Sequence, residues 1–175
     1  MTDDDNLSEI KIGCLGDSSV GKTLLAKKYV KDPTLKEFWV STSELPFSIY
    51  NKIDYTISTI GVEFLKTKRI LSDGNKYKVI IYDTAGQERY KSLSLNSIKH
   101  CDGVILIYDI TNRESFKSIS EWIKNIYDIK DNDFPLILIG NKCDLKVQRE
   151  VSTEEGLEAA EQYKTKYFKQ MLKKE

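Results

Sequence analysis

The stretch Gly16-Asp17-Ser18-Ser19-Val20-Gly21-Lys22-Thr23 limits what this chain can become more than any other. It has the form Gly, four free positions, Gly-Lys and Ser/Thr. Before it runs Ile10 to Leu15, readable as a buried strand, and after it Leu24-Leu25-Ala26-Lys27-Lys28-Tyr29-Val30, readable as a helix. A Gly-rich turn in that setting lets successive backbone N–H groups converge on an anion, while the following helix presents its positive dipole end to the same point. Lys22 is then expected to reach the outer phosphates of a nucleotide, and the Thr23 hydroxyl to ligate Mg²⁺.

The rest of the chain fits around that loop. Asp32-Pro33 is expected to end the first helix, because the residue before proline disfavours helical torsions. Thr34 to Ser58, with Phe38, Trp39, Phe47, Tyr50 and Tyr55 among polar residues, has neither helical nor strand periodicity. Gly61 to Leu71 and Lys76 to Asp83 flank Ser72-Asp73-Gly74-Asn75, which predicts a hairpin. Thr84-Ala85-Gly86-Gln87-Glu88 reads as a loop leading into a short helix. Gly103 to Asp109 is an apolar run suited to a strand buried on both faces. Thr111 with Glu114 reads as a capping box opening a helix whose Phe116, Ile119, Ile123, Ile126 and Tyr127 recur at helical spacing and belong to the core. Phe134 to Gly140 is the next buried strand, with Asn141-Lys142-Cys143-Asp144 at its end. A second capping box, Ser152 with Glu155, opens a helix running to Glu161 or beyond. This alternation predicts an α/β fold, a mainly parallel sheet with helices on both faces and the polar clusters at the C-terminal ends of its strands.

Composition narrows the function. With 27 basic and 27 acidic residues in 175, net charge gives no footprint for nucleic acid or a membrane surface. No apolar run is long enough to span a bilayer, and the acidic start Met1 to Ser8 is no secretory signal but a disordered leader. Cys14, Cys101 and Cys143 lack metal-ligand spacing, and Cys14 and Cys101 read as small buried residues in a reducing, cytoplasmic setting. His100 lacks a catalytic partner pattern and reads as a helix-end residue.

Four stretches together resemble a small GTPase of the Ras superfamily, and most the Rab family: Gly16 to Thr23, Ser58 to Phe64, Asp83 to Tyr90, and Asn141 to Asp144. The Ile60-Gly61-Val62-Glu63-Phe64 run is what points to Rab. The sequence is divergent within that family, with Tyr82 where Trp is usual and Ser97-Ile98-Lys99 in place of an aromatic pair and Arg. The resemblance implies a phosphate-loop G domain, residues 1–175 as one unit, that binds GTP or GDP with Mg²⁺ and hydrolyses GTP in the control of vesicle trafficking. Exchange factors, GTPase-activating proteins and effectors are the implied partners. Peripheral membrane association is a family trait, although the tail offers no cysteine for a prenyl anchor.

Each motif residue has a chemical reason. Asp144 is suited to accept hydrogen bonds from the N1–H and exocyclic amine of guanine, a donor pair that adenine does not present. Asn141 and Lys142 would, as the resemblance implies, brace the base and the phosphate loop. Asp83 would hold Mg²⁺ through water, and Thr59 would close over the γ-phosphate as a second metal ligand. Gly86 would let its N–H approach that phosphate, and Gln87 would orient the attacking water. Loss of the γ-phosphate would then release both flanking loops. With no arginine placed to assist, turnover is expected to be slow, on the order of 10⁻⁴ per second, until a partner supplies the missing cation.

Two departures shape the alternatives. The interval from Lys22 to Thr59 is roughly twice what the resemblance leads one to expect, which places an insertion near residues 35–54. Within it Phe38, Trp39 and Phe47 form either a partner patch or a mobile segment that binds nothing, and Tyr50 or Tyr55 would have to supply the aromatic that stacks on the base. The stretch after Asp144 is short, lacks a Ser-Ala-Lys element after Tyr167-Phe168, and is expected to lack the final strand and helix, leaving a strand edge unpaired. A truncated or degenerate interaction module that does not cycle nucleotide is therefore the second reading. An ATP-using phosphate-loop enzyme is the third, disfavoured by Asn141 to Asp144.

Overall fold

The computed structural model describes residues 7–31, 61–86 and 91–169. The helix stop at Asp32-Pro33, the insertion near 35–54 with its aromatics, Thr59, Gln87, the first six residues of the leader and the tail beyond 169 lie outside them.

Strand β1 (Glu9–Leu15) forms the middle of the sheet, and helix α1 (Lys22–Lys31) follows the Gly-rich turn. Strands β2 (Val62–Ile70) and β3 (Lys76–Thr84) pair antiparallel across Asp73-Gly74, where Gly74 takes a φ of 80° that only glycine adopts readily. Strand β3 lies parallel to β1, and Ser8 extends that ladder by accepting from the Lys78 N–H at 3.0 Å. The short helix α2 (Lys91–Ser97) and a single 3-10 turn ending at His100 lead to β4 (Gly103–Asp109), as the apolar run predicted. Beyond it come α3 (Arg113–Lys117), α4 (Ile119–Tyr127), β5 (Leu136–Asn141), α5 (Thr153–Gln162) and β6 (Lys166–Lys169). The strand order is β2-β3-β1-β4-β5-β6, parallel except at β2.

Alternation along β4 divides the core. Val104, Leu106 and Tyr108 face Ile119, Trp122, Ile123 and Ile126 of α4. Ile105 and Ile107 face Leu25, Ala26 and Tyr29 of α1. Each face of the central strands is thus covered by a different helix layer, which is why β4 reads as a continuous apolar run rather than an alternating one. Cys14 and Cys101 are buried as expected, and Cys143 is buried with them.

Two expectations about the segment after β4 need correction. The helix after β4 is not capped by Thr111. The cap is Asn112, whose Oδ1 accepts from the N–H groups of Glu114 and Ser115 at 3.0 and 3.2 Å. Thr111 is drawn backwards, its hydroxyl donating to Asp109 Oδ1 at 2.8 Å, so a neighbour two residues upstream outcompetes the capping box. The predicted single helix is also two, α3 and α4, meeting at Ser118. The box at Ser152 and Glu155, by contrast, forms with both of its hydrogen bonds.

The final strand is present. Lys164 takes a left-handed φ of 53° after α5, and the Thr165 N–H bonds back to the Ala160 carbonyl at 2.9 Å. The Thr165 hydroxyl then donates to the Leu136 carbonyl, which brings the chain alongside β5. Residues 166–169 pair in parallel with Ile137 to Gly140, so the β5 edge is covered. Reversing the chain within three residues leaves room for a strand where counting residues had suggested none. The expected absence of a following helix concerns residues outside those described.

Candidate functional site

The polar clusters gather at the C-terminal ends of β1, β3, β4 and β5. The turn after β1 opens at Gly16 with a φ of 135°, and a Cβ there would collide with the carbonyl oxygen of Ile107 on β4. Ser19 and Gly21 also take positive φ, 63° and 99°, so the backbone of Asp17, Ser18, Ser19 and Val20 curls into a nest before α1 begins. Val20 is buried beneath the loop. Its carbonyl accepts from Asn141 Nδ2 at 2.7 Å, which ties the loop to the end of β5 as the resemblance implied.

Lys22 is 5 % exposed and turns back under the loop, its Nζ donating to the carbonyls of Gly16 at 3.0 Å and Asp17 at 2.7 Å. Burial pulls its pKa down to about 8, opposed by the nearby carboxylate of Asp83. Asp83 is fully buried, and burial pushes its carboxyl above the usual range against the Thr23 side-chain hydrogen bond and the Lys22 charge. Thr23 and Asp83, 60 residues apart in the chain by their numbers, therefore meet beside Lys22. Gly86 leans on the same place: a Cβ there would meet the Asp17 carbonyl and Lys22 Nζ. The loop after β3 and the loop after β1 are in contact only because residue 86 has no side chain.

On the other flank, Asn141 is buried and Lys142 takes a left-handed φ of 64°. Lys142 Nζ pairs with Asp109 Oδ2 at 2.6 Å. Asp144 is partly buried, with its Oδ1 inside the protein surface. Of the residues predicted from sequence, Gly16 to Thr23, Asp83, Gly86 and Asn141 come together, with Lys142 and Asp144 in the turn that follows Asn141, while Thr59 and Gln87 lie outside the described residues.

The donors fit a nucleotide and a hard cation. The nest and Lys22 provide N–H groups and a positive charge for phosphate. Asn141 Oδ1 is buried with no hydrogen-bond partner among the described residues, an acceptor left for a bound ligand. Thr23 and Asp83 supply adjoining oxygens. No group of three or more His, Cys, Asp or Glu gathers as a metal site among the described residues.

A tryptophan with the lysine that covers it, and one aspartate, escaped the sequence reading. Trp122 Nε1 donates to Asp17 Oδ1 at 2.7 Å, and Lys91 at the start of α2 sits over the Trp122 ring, 4.6 Å from its centre. Lys91 also pairs with Glu121 at 2.8 Å. The aspartate is Asp109, visible in hindsight as the one charge closing an apolar run. His100 ends its 3-10 turn, as expected. No helix among the described residues is long and apolar enough to cross a membrane.

Comparison with known proteins agrees with this geometry. A family model described as "Ras: Ras family" matches residues 11–175. The chain is similar to the Ras-related proteins Rab-8B of Bos taurus and Homo sapiens, each 37% identical over 163 residues that cover 93% of this chain and 70% of the relative. Ras-related protein Rab-8 of Diplobatis ommata is 36% identical over 163 residues, covering 93% of this chain and 69% of the relative.

Proposed function

Because the chain belongs to the Ras family of small GTPases and is most like its Rab members, we propose that it binds GTP and GDP with Mg²⁺, hydrolyses GTP slowly and acts as a switch in vesicle trafficking. The observation that carries this reading is the meeting of Lys22, Thr23, Asp83 and Gly86 beneath one Gly-rich turn, with Asn141 holding that turn from β5.

In this reading the N–H groups of residues 17–23 and the Lys22 ammonium bind the phosphates, and the Asp144 carboxylate selects guanine. Thr23 and Asp83, with Thr59, hold the metal, which neutralises phosphate charge when bound. Gly86 gives its N–H to the γ-phosphate, and Gln87 orients the attacking water. Loss of that phosphate frees the segments around Thr59 and Gln87, and exchange factors, GTPase-activating proteins and effectors respond to that change. The chain acts in the cytoplasm as one domain over residues 1–175.

The test is titration of purified protein with fluorescent GDP, GTP and ATP in Mg²⁺. Submicromolar guanine-nucleotide binding with ATP far weaker is expected. Asp144→Ala should lower GDP affinity by about 100-fold or more, because the amine and N1–H lose their acceptor. A folded sample with no affinity for GDP at millimolar concentration means a degenerate interaction module, and a preference for ATP means an ATP-using enzyme. Gln87→Leu should keep GTP binding and slow single-turnover hydrolysis. Unchanged turnover removes the water-positioning role.

A further inference from the structure

We infer that Asp109 is a positioning residue for guanine recognition, its carboxylate fixing Lys142 and, through Lys142, the base. The inference rests on the guanine-nucleotide reading above and adds to it a residue from β4, outside the motifs that carried that reading.

Three observations support it. Asp109 ends β4 directly beside Asn141 in the β4–β5 register, so it stands one residue from the recognition turn without belonging to it. Its side chain is only 8% exposed, and both of its carboxylate oxygens are engaged. Oδ1 accepts from the Thr111 N–H at 2.9 Å and the Thr111 hydroxyl at 2.8 Å, and the Asp109 N–H donates to Ser115 Oγ at 3.1 Å. Oδ2 is then aimed at Lys142 Nζ, 2.6 Å away. A carboxylate this buried and this restrained is a fixed point rather than a mobile surface charge, and truncating one partner of such a pair leaves the other uncompensated.

Lys142 needs such a fixed point. Its backbone is left-handed, a conformation that strains a side-chain-bearing residue. Its side chain is partly exposed, so its long stem is not immobilised by packing alone. Bonding to Asp109 orders the stem before ligand arrives, and that preorganisation shows mainly in slower release. The pairing was not readable from sequence, since Asp109 closes β4 and Lys142 lies in the turn after β5.

The experiment is a double-mutant cycle on GDP dissociation, using the whole chain loaded with fluorescent GDP. Asp109→Asn preserves the shape and the Thr111 bonds while removing the charge, and it should speed GDP release about tenfold. In a Lys142→Ala background the same substitution should change the rate less than twofold, since the group it positions is gone. A role in supporting only the Thr111 turn would instead give the same fold-change in both backgrounds, and that outcome overturns the inference. So does a wild-type release rate in Asp109→Asn. If Asp109→Asn does not fold, Asp109→Glu replaces it in the cycle: it moves the charge by one methylene and should speed release only when Lys142 is present. Wild-type protein that fails to bind GDP at all overturns the nucleotide reading, and this inference with it, whereas binding with additive cycles overturns this inference alone.

Discussion

Gly16→Ala is expected to destabilise the ligand-free protein by about 3 kcal/mol and to abolish measurable GDP binding. Two separate effects combine. A φ of 135° lies where residues with a side chain are strained, and the added methyl would meet the carbonyl oxygen of Ile107. That oxygen belongs to the backbone of β4, where Ile107 is paired with Ile139 of β5, so it cannot give way as a flexible side chain would. For a chain of this size the loss should appear as a fall of roughly 10 °C in thermal midpoint. A midpoint within 2 °C of wild type would show that the turn rearranges freely and that its shape is not fixed by the sheet.

Lys22→Ala should weaken GDP binding by about 100-fold or more, since charge-assisted hydrogen bonds to phosphate are among the stronger polar contacts. The pH dependence is more specific. The Lys22 pKa is drawn down from 10.5 to about 8 by burial. Below that value the folded and unfolded chains both carry the charge. Between there and 10.5 the unfolded chain holds a proton that the folded chain has released, so ligand-free stability should rise with pH across this window. Phosphate binding prefers the charged form, so GDP affinity should fall as pH climbs above 8, approaching about tenfold per unit, as binding takes up a proton. Calorimetry in buffers of different ionisation enthalpy would count that proton. A flat profile from pH 7 to 9.5 in wild type, indistinguishable from Lys22→Ala, would show that Lys22 does not bind phosphate.

Much of this was legible because the chain states it locally. Gly103 to Asp109, the Asp73-Gly74 turn and the Ser152–Glu155 box each carry their signal within a few residues, and each forms where expected. The phosphate loop was legible because its glycines are placed where backbone torsions demand them. What sequence reading missed is competition between partners, near and far in the chain. Asn112 displaced Thr111 as helix cap because Asp109 draws the threonine hydroxyl away. Trp122 has the spacing of a core residue, and most of its ring is buried. Its indole N–H nevertheless reaches Asp17 across 105 positions, a contact no periodicity encodes. The final strand was misjudged because its space was inferred from residue count, whereas the turn at Lys164 and Thr165 needs almost none.

The order of strands also bears on how the protein is made. Strand β1 is synthesised first, yet its ladder partners β3 and β4 lie far downstream, and the Val20 carbonyl meets Asn141 only after β5 has emerged. Parallel pairing between distant segments is slow because a long loop must close before any contact rewards it. A nascent chain that has left the ribosome only as far as β3 therefore holds an N-terminal strand with one neighbour missing and apolar residues on both faces. Such a chain exposes the kind of surface that chaperones hold until β5 has emerged, the point at which the turn between β1 and α1 can take its final shape.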